Sequence, residues 1–188
     1  HKATLIDKLF GAGANFPSPP YSEMFSHYLK KNGIKVNYQA IGSGGGQRQI
    51  KSKTVDFGGS DAFVSDKKLS KFKGDLLHIP MVLGAVSVSY HLETKIDLKL
   101  DAETLTNIFL GKITKWNDPA IAQLNTDATL PDQKITVIRR SDGSGTTAIF
   151  TDYLSKVSQE WKEKVGKGKS VKWPVGFSNE EEALLDDT

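Results

Sequence analysis

Ile34-Lys-Val-Asn-Tyr-Gln-Ala-Ile41, followed at once by Gly42-Ser-Gly-Gly-Gly-Gln47, decides the fold. In the first part Ile34, Val36 and Tyr38 alternate with polar neighbours, the two-residue period of a strand with one covered face. The glycine turn then opens into a short helical stretch around residues 47–53. Strand, glycine turn and helix in that order form the repeating unit of a parallel α/β sheet.

The same order recurs on both sides. Upstream, GAGANFP from Gly11 leads into Tyr21, Met24, Phe25, Tyr28 and Leu29 at helical spacing. Pro17, Pro19 and Pro20 suit the helix entry, and Asn32-Gly33 closes it. Downstream, Val55 to Gly58 reads as a strand ending at Ser60-Asp61. Leu105, Ile108 and Phe109 predict a helix stopped at Gly111, and Pro119 to Leu124 a second, shorter one. Ile135, Val137 and Arg139 share one face of a predicted strand over Lys134–Arg140. A third glycine turn, RRSDGSGTT from Arg139, follows it and leads to an amphipathic helix over Ala148–Leu154. Leu76 to Tyr90 is a long apolar stretch broken by Pro80 and Gly84, either a buried parallel strand or a segment crossing between two lobes. The fold class expected is α/β with largely parallel sheets, whose ligands sit beyond the carboxyl ends of the strands, where all three turns fall.

Composition narrows the function. Among 188 residues, 25% are charged and 38% hydrophobic, and the net charge is +3. That balance argues against a nucleic-acid binder. The basic residues between Lys156 and Lys172 and the acidic end at Glu180, Glu181, Glu182, Asp186 and Asp187 read as solvated faces. Zero cysteines exclude disulfides, thiolate metal sites and a cysteine nucleophile, and leave a lipid anchor unsupported. There is no apolar run near the ~20 residues of a membrane span. His1 opens into a polar segment without a signal peptide, which predicts a mature or recombinant form, or a cytosolic protein.

The turns themselves predict an oxyanion site. The first N–H groups of a helix have no internal partner, so glycine turns carrying Ser, Thr, Asn or Asp make anion seats. The third turn adds Arg140, whose planar paired donors suit a tetrahedral oxyanion. Asp142 is close enough in sequence to orient it, and Gly143, Ser144, Gly145, Thr146 and Thr147 lead into the helix. The second turn supplies Ser43 and is neither a Walker motif nor a dinucleotide fingerprint, since Gln47 stands where GxGxxG needs its last glycine. The first supplies Asn15 and the backbone N–H of Phe16.

Asp61 sharpens the ligand. A carboxylate beside an anion is repulsive unless the anion has a proton to donate, as phosphate does at neutral pH and sulfate does not. Each turn taken alone reads equally as a capped helix start or a permissive bend, and Asp61 alone as an Asx turn.

Taken together, GAGANFP, VNYQAIGSGGG, TVDFGGSDAFVSD, FLGKITKWNDPAI, RRSDGSGTTAIFTDYL and VGKGKSVKWPVG resemble the phosphate-binding proteins of bacterial phosphate ABC importers, the PstS family. The resemblance spans nearly the whole chain. It implies a two-lobed periplasmic-binding-protein type II fold, with mixed, largely parallel sheets and a hinge. Residues 1–80 would form the N-terminal part of the first lobe and residues 81–188 that of the second, with a crossing at about 79–90. It implies a monomer in the periplasm or at the cell-envelope exterior that binds inorganic phosphate and delivers it to the membrane permease of an ABC importer. No catalytic residue, cofactor, metal or nucleic acid is implied. The family's phosphate contacts fall on Asn15, Phe16, Ser43 and Asp61 in the first lobe and on Arg140, Ser144, Gly145 and Thr146 in the second, with Asp142 and Gly143 in support.

Two departures accompany it. Asn15 stands where the family usually has threonine, losing a hydroxyl and adding length. The family's returning C-terminal segments are missing after KWPVG, so the chain reads as a fragment or a shortened variant. Two other functions compete. A serine-dependent hydrolase or phosphatase would use Ser144 with His78 or His91 as base, but GxSxG is absent, and both histidines read as structural residues flanking a strand. A non-transport interaction protein would keep the fold without the ligand.

Overall fold

The computed structural model describes residues 7–72, 74–92 and 96–178. The acidic C-terminal end predicted as a solvated face lies outside them. The chain divides into two compact units, the first containing residues up to Ala85 together with Asp142–Ile149, the second Val86–Ser141 and the residues from Phe150 onward.

In unit 1, β1 (Lys8–Gly13), β2 (Lys35–Ala40) and β3 (Phe57–Gly59) form a wholly parallel sheet in the order β2-β1-β3. Gly11 pairs with Tyr38 on one side and Phe57 on the other, so these three residues share a face of the sheet. Helix α1 (Ser18–Asn32) covers that face. Its Tyr21 and Phe25 meet Tyr38 and Phe57 in one aromatic cluster, with Tyr21 edge-on to Tyr38 at 5.2 Å and Phe25 edge-on to Phe57 at 6.1 Å. The helix carries proline in its first turn and ends on Gly33 in the left-handed region at φ 70°, whose N–H donates to the Leu29 carbonyl at 2.8 Å. Helix α2 (Gly42–Lys51) covers the other face, where Gly46 and Ile50 lie against Gly58.

Two sequence expectations shift here. The second glycine turn is itself the start of α2, and the strand expected over Val55–Gly58 is set at Phe57–Gly59. Glycine is a poor helix former, so the run reads as a turn; contact with the sheet ends explains its place inside a helix. The short α3 (Asp66–Leu69) had no sequence reading. Residues 74–92 adopt no helix or strand, and most of their large apolar side chains are exposed, Leu83 at 98% and Leu77 at 82%. The buried-strand reading of Leu76–Tyr90 is therefore corrected: the segment has strand-like composition but no ladder neighbour among the described residues.

Unit 2 is helical around a small aliphatic core. Helices α4 (Ala102–Phe109) and α5 (Pro119–Ala122) contribute Ile108 and Ile121, which pack with Ile113 and Ile135. Asn125 is buried and fully satisfied: its Nδ2 donates to the Lys99 and Ile121 carbonyls, both at 2.8 Å, and its Oδ1 accepts the Lys99 N–H. Helices α6 (Gly145–Val157) and α7 (Gln159–Lys164) add Leu154 and the fully buried Trp161, which meets Trp173 at 5.9 Å. The strand expected over Lys134–Arg140 is not formed as a ladder. Only single bridges occur there, Lys115 with Lys134 antiparallel and Ile138 with Phe177 parallel.

Candidate functional site

The first two turns meet because β1 and β2 are adjacent and parallel, so both chains leave the sheet at the same edge. Three hydrogen bonds fix that edge. The Ala14 N–H donates to the Gly59 carbonyl at 3.0 Å, the Ile41 N–H to the Gly13 carbonyl at 2.9 Å, and the Tyr38 hydroxyl to the Ala14 carbonyl at 2.8 Å. The start of α2 is thereby held over the ends of β1 and β3.

The part of the third turn grouped with unit 1, from Asp142 onward, meets the second through a backbone bond. The Gly44 N–H donates to the Gly143 carbonyl at 2.7 Å. Gly145 is tighter still: a Cβ there would stand 2.3 Å from Ser43 Oγ and 2.6 Å from Asp61 Oδ2. Ser43 and Asp61 thus face the first residue of α6 together, in a space that any side chain at position 145 would fill. Gly42, at φ 77°, is crowded by the Asp142 carboxylate, which would lie 2.6 Å from a Cβ.

The predicted side chains take distinct parts. Ser43 is buried and its Oγ accepts the Asp61 N–H at 3.1 Å, which leaves the hydroxyl hydrogen to donate. The charge of Asp61 reaches the aromatic cluster. Burial first, and then this carboxylate, push the Tyr21 hydroxyl above its usual range, and burial, Tyr21 and Asp61 push Tyr38 up further. Asn15 is exposed, and its Oδ1 accepts the Gly42 N–H at 3.1 Å, so its side chain ties the first turn to the second. The extra length of asparagine makes this reach. The Phe16 ring is half-exposed and lies on the backbone of Gly84.

Ser144 is fully buried, and its Oγ accepts the Thr147 N–H at 3.1 Å as the cap of α6. Accepting that bond leaves the hydroxyl hydrogen of Ser144 to donate. Thr146 is half-buried in the same turn. Arg140 is half-buried and is grouped with unit 2.

Two residues with no assigned role also engage the site. Gln47 Nε2 donates to Ser60 Oγ and to the Ala62 carbonyl, both at 2.9 Å, holding the loop that carries Asp61. It stands one helical turn after Ser43, so the i, i+4 spacing was the available signal. His78 Nε2 accepts the Val64 N–H of the same loop at 3.1 Å. Among the described residues no group of His, Cys, Asp and Glu is arranged to hold a metal ion, and no helix is long and apolar enough to cross a membrane. A depression of about 600 Å³ in unit 2 is lined by Asp152, Lys156, Lys162 and Lys167; it carries none of the glycine turns, and Asp152 already pairs with Lys156 and Lys167.

The chain is 55% identical over 175 residues to the phosphate-binding protein PstS of Pasteurella multocida, covering 92% of this chain and 50% of that protein. It is 52% identical over 172 residues to PstS of Haemophilus influenzae, covering 90% of this chain and 51% of the other. The chain therefore spans about half the length of the curated relatives it matches. Among solved structures, an ABC-type phosphate transport receptor from Vibrio cholerae superposes with a TM-score of 0.52 at 15% identity, over 96% of this chain and 68% of that one. A structure from Clostridium perfringens, solved with bound phosphate, gives 0.58 at 14% identity, over 95% and 65%. These two show a shared fold. Residues 1–182 match the PBP superfamily domain, and the chain belongs to that superfamily.

Proposed function

We propose that this chain carries the phosphate site of a binding protein that serves an ABC-type phosphate import permease, without catalysing a reaction. The observation that carries this reading is the pairing of Ser43 and Asp61 against Gly145. One offers a hydroxyl hydrogen and the other a carboxylate acceptor. Monohydrogen phosphate matches both, accepting from Ser43 and donating its proton to Asp61, whereas sulfate would set two acceptors face to face. The names of the curated relatives support the ligand, and the phosphate bound in the Clostridium perfringens structure accords with it.

Around that pair, the reading assigns donors to Asn15, to the Phe16 backbone, and to Ser144, Gly145 and Thr146 at the start of α6. Arg140 supplies the guanidinium, with Asp142 and Gly143 in support. Residues 1–80 and 81–188 supply parts of two lobes joined by a crossing at about 79–90, and phosphate stabilises their closure. The protein works as a monomer outside the cytoplasmic membrane, with no nucleic-acid partner. Titration calorimetry on the full-length protein at neutral pH tests the proposal. Phosphate is expected to bind and sulfate to respond far more weakly; a folded protein that fails to bind phosphate contradicts it.

A further inference from the structure

The loop carrying Asp61, residues 60–64, belongs to no helix or strand. Its position is nevertheless fixed at three points. Ser43 Oγ takes the Asp61 N–H, Gln47 Nε2 holds the Ala62 carbonyl and Ser60 Oγ, and His78 Nε2 takes the Val64 N–H. Ser60 also donates to the Ala62 carbonyl, closing a small turn around Asp61. The first two anchors come from one face of α2 and the third from the segment 74–92.

We propose that Gln47 and His78 are positioning residues for phosphate selectivity, gripping the 60–64 loop at separate points so that the Asp61 carboxylate stays beside Ser43 and Gly145. This rests on the phosphate reading above and adds to it the two groups that set the acceptor in place. An acceptor selects a protonated anion only if it is held where the proton points, so loop position and selectivity are linked.

The chemistry of each grip is specific. Val64 is buried, 6% exposed, so its N–H requires a partner. His78 provides one only through an unprotonated Nε2, which places the imidazole hydrogen on Nδ1. A glutamine at 78 offers a carbonyl oxygen at comparable reach; a leucine fills similar space and offers nothing. Gln47 uses both hydrogens of one amide nitrogen, so leucine there removes two bonds without adding a charge.

The test compares His78→Leu, His78→Gln and Gln47→Leu with the parent in the full-length protein, using two readouts. The first is amide hydrogen exchange at Asp61, Ala62 and Val64 without ligand. His78→Leu is expected to speed exchange at Val64 by roughly tenfold or more, the loss of one buried hydrogen bond, while His78→Gln stays near the parent. The second is the ratio of phosphate to sulfate affinity, expected to fall several-fold in His78→Leu and Gln47→Leu and to be rescued in His78→Gln. A purely structural role would lower stability equally for both anions and leave the ratio unmoved. Parent-like exchange and ratio in His78→Leu overturn the inference, as does a His78→Gln protein as impaired as His78→Leu. If His78→Leu does not fold, Gln47→Leu decides by the same ratio. A parent protein that binds no phosphate refutes the phosphate reading, while the exchange measurement still decides whether His78 holds the loop.

Discussion

The sheet-end region of unit 1 and the segment 74–92 are built from similar residues and differ in almost every physical respect. Both carry apolar side chains, Leu9, Phe10, Val36, Tyr38 and Phe57 in the strands and Leu77, Ile79, Val82, Leu83 and Val86 in the segment. Residues of β1, β2 and β3 find parallel neighbours, and the glycines at their ends are buried beneath α2. Residues 74–92 find no ladder, and Leu83 is left almost wholly exposed. Alternation and apolar content state which surface a strand would present. Whether a strand forms depends on what lies beside it, because an unpaired row of N–H and C=O groups gains nothing from extension.

Four substitutions sharpen that contrast. The largest effect is expected at the packed extreme. Ile121 is fully buried against Ile108, Ile113 and Ile135, and Ile121→Ala should cost about 2–5 kcal/mol of unfolding free energy by chemical denaturation. Next comes Gly145→Ala, whose new methyl group would meet Ser43 Oγ at 2.3 Å; overpacking of this kind costs roughly 1–3 kcal/mol, and phosphate affinity should fall with it.

A smaller effect is expected at Asp101, which caps α4 by accepting the Thr104 N–H at 2.7 Å. Asp101→Ala should cost about 1 kcal/mol at neutral pH. The same bond, chiefly to the Thr104 backbone, holds the Asp101 carboxyl below its ordinary value of 3.8. A lowered folded-state value means the contribution is complete above about pH 4 and fades as pH falls through the folded-state value. Parent and variant stabilities should therefore converge in strong acid. The smallest change is expected at the exposed extreme, where Leu83→Ser should stay within about 0.5 kcal/mol in this chain. A loss there as large as that of Ile121→Ala would show the segment to be packed and would break the comparison.

Elements whose signals are local were legible in the sequence. Helix α1 was readable because apolar spacing, prolines and the Asn32-Gly33 stop all act within a few residues. The same holds for β2 and for the stop of α4 near Gly111. What escaped depends on distant contact. The glycine run from Gly42 to Gly46 is helical because sheet ends and a third turn press on it, and no window around it contains that information. Lys134–Arg140 carries a strand pattern and meets only single-bridge partners. Helix α7 had no sequence reading, although its cap is local, with Ser158 taking the Trp161 N–H at 3.1 Å.

In the site the division is similar. Ser43, Asp61, Gly143, Ser144 and Gly145 were expected as candidates, and the structure assembles them in unit 1. The contact of Asn15 with Gly42 accounts for the asparagine in terms of reach. Sequence alone reads Gln47 as a failed motif position and His78 as a structural residue beside a strand, because the loop whose groups they bond follows a tertiary path.

The most direct test of the central claim is the ratio of phosphate to sulfate affinity, measured by calorimetry at neutral pH for the parent and for Asp61→Asn. Replacing the acceptor oxygen by an amide that can donate should weaken phosphate and relieve sulfate, narrowing the ratio by on the order of tenfold to a hundredfold. A ratio identical in the two proteins would contradict the account and remove Asp61 from the anion site.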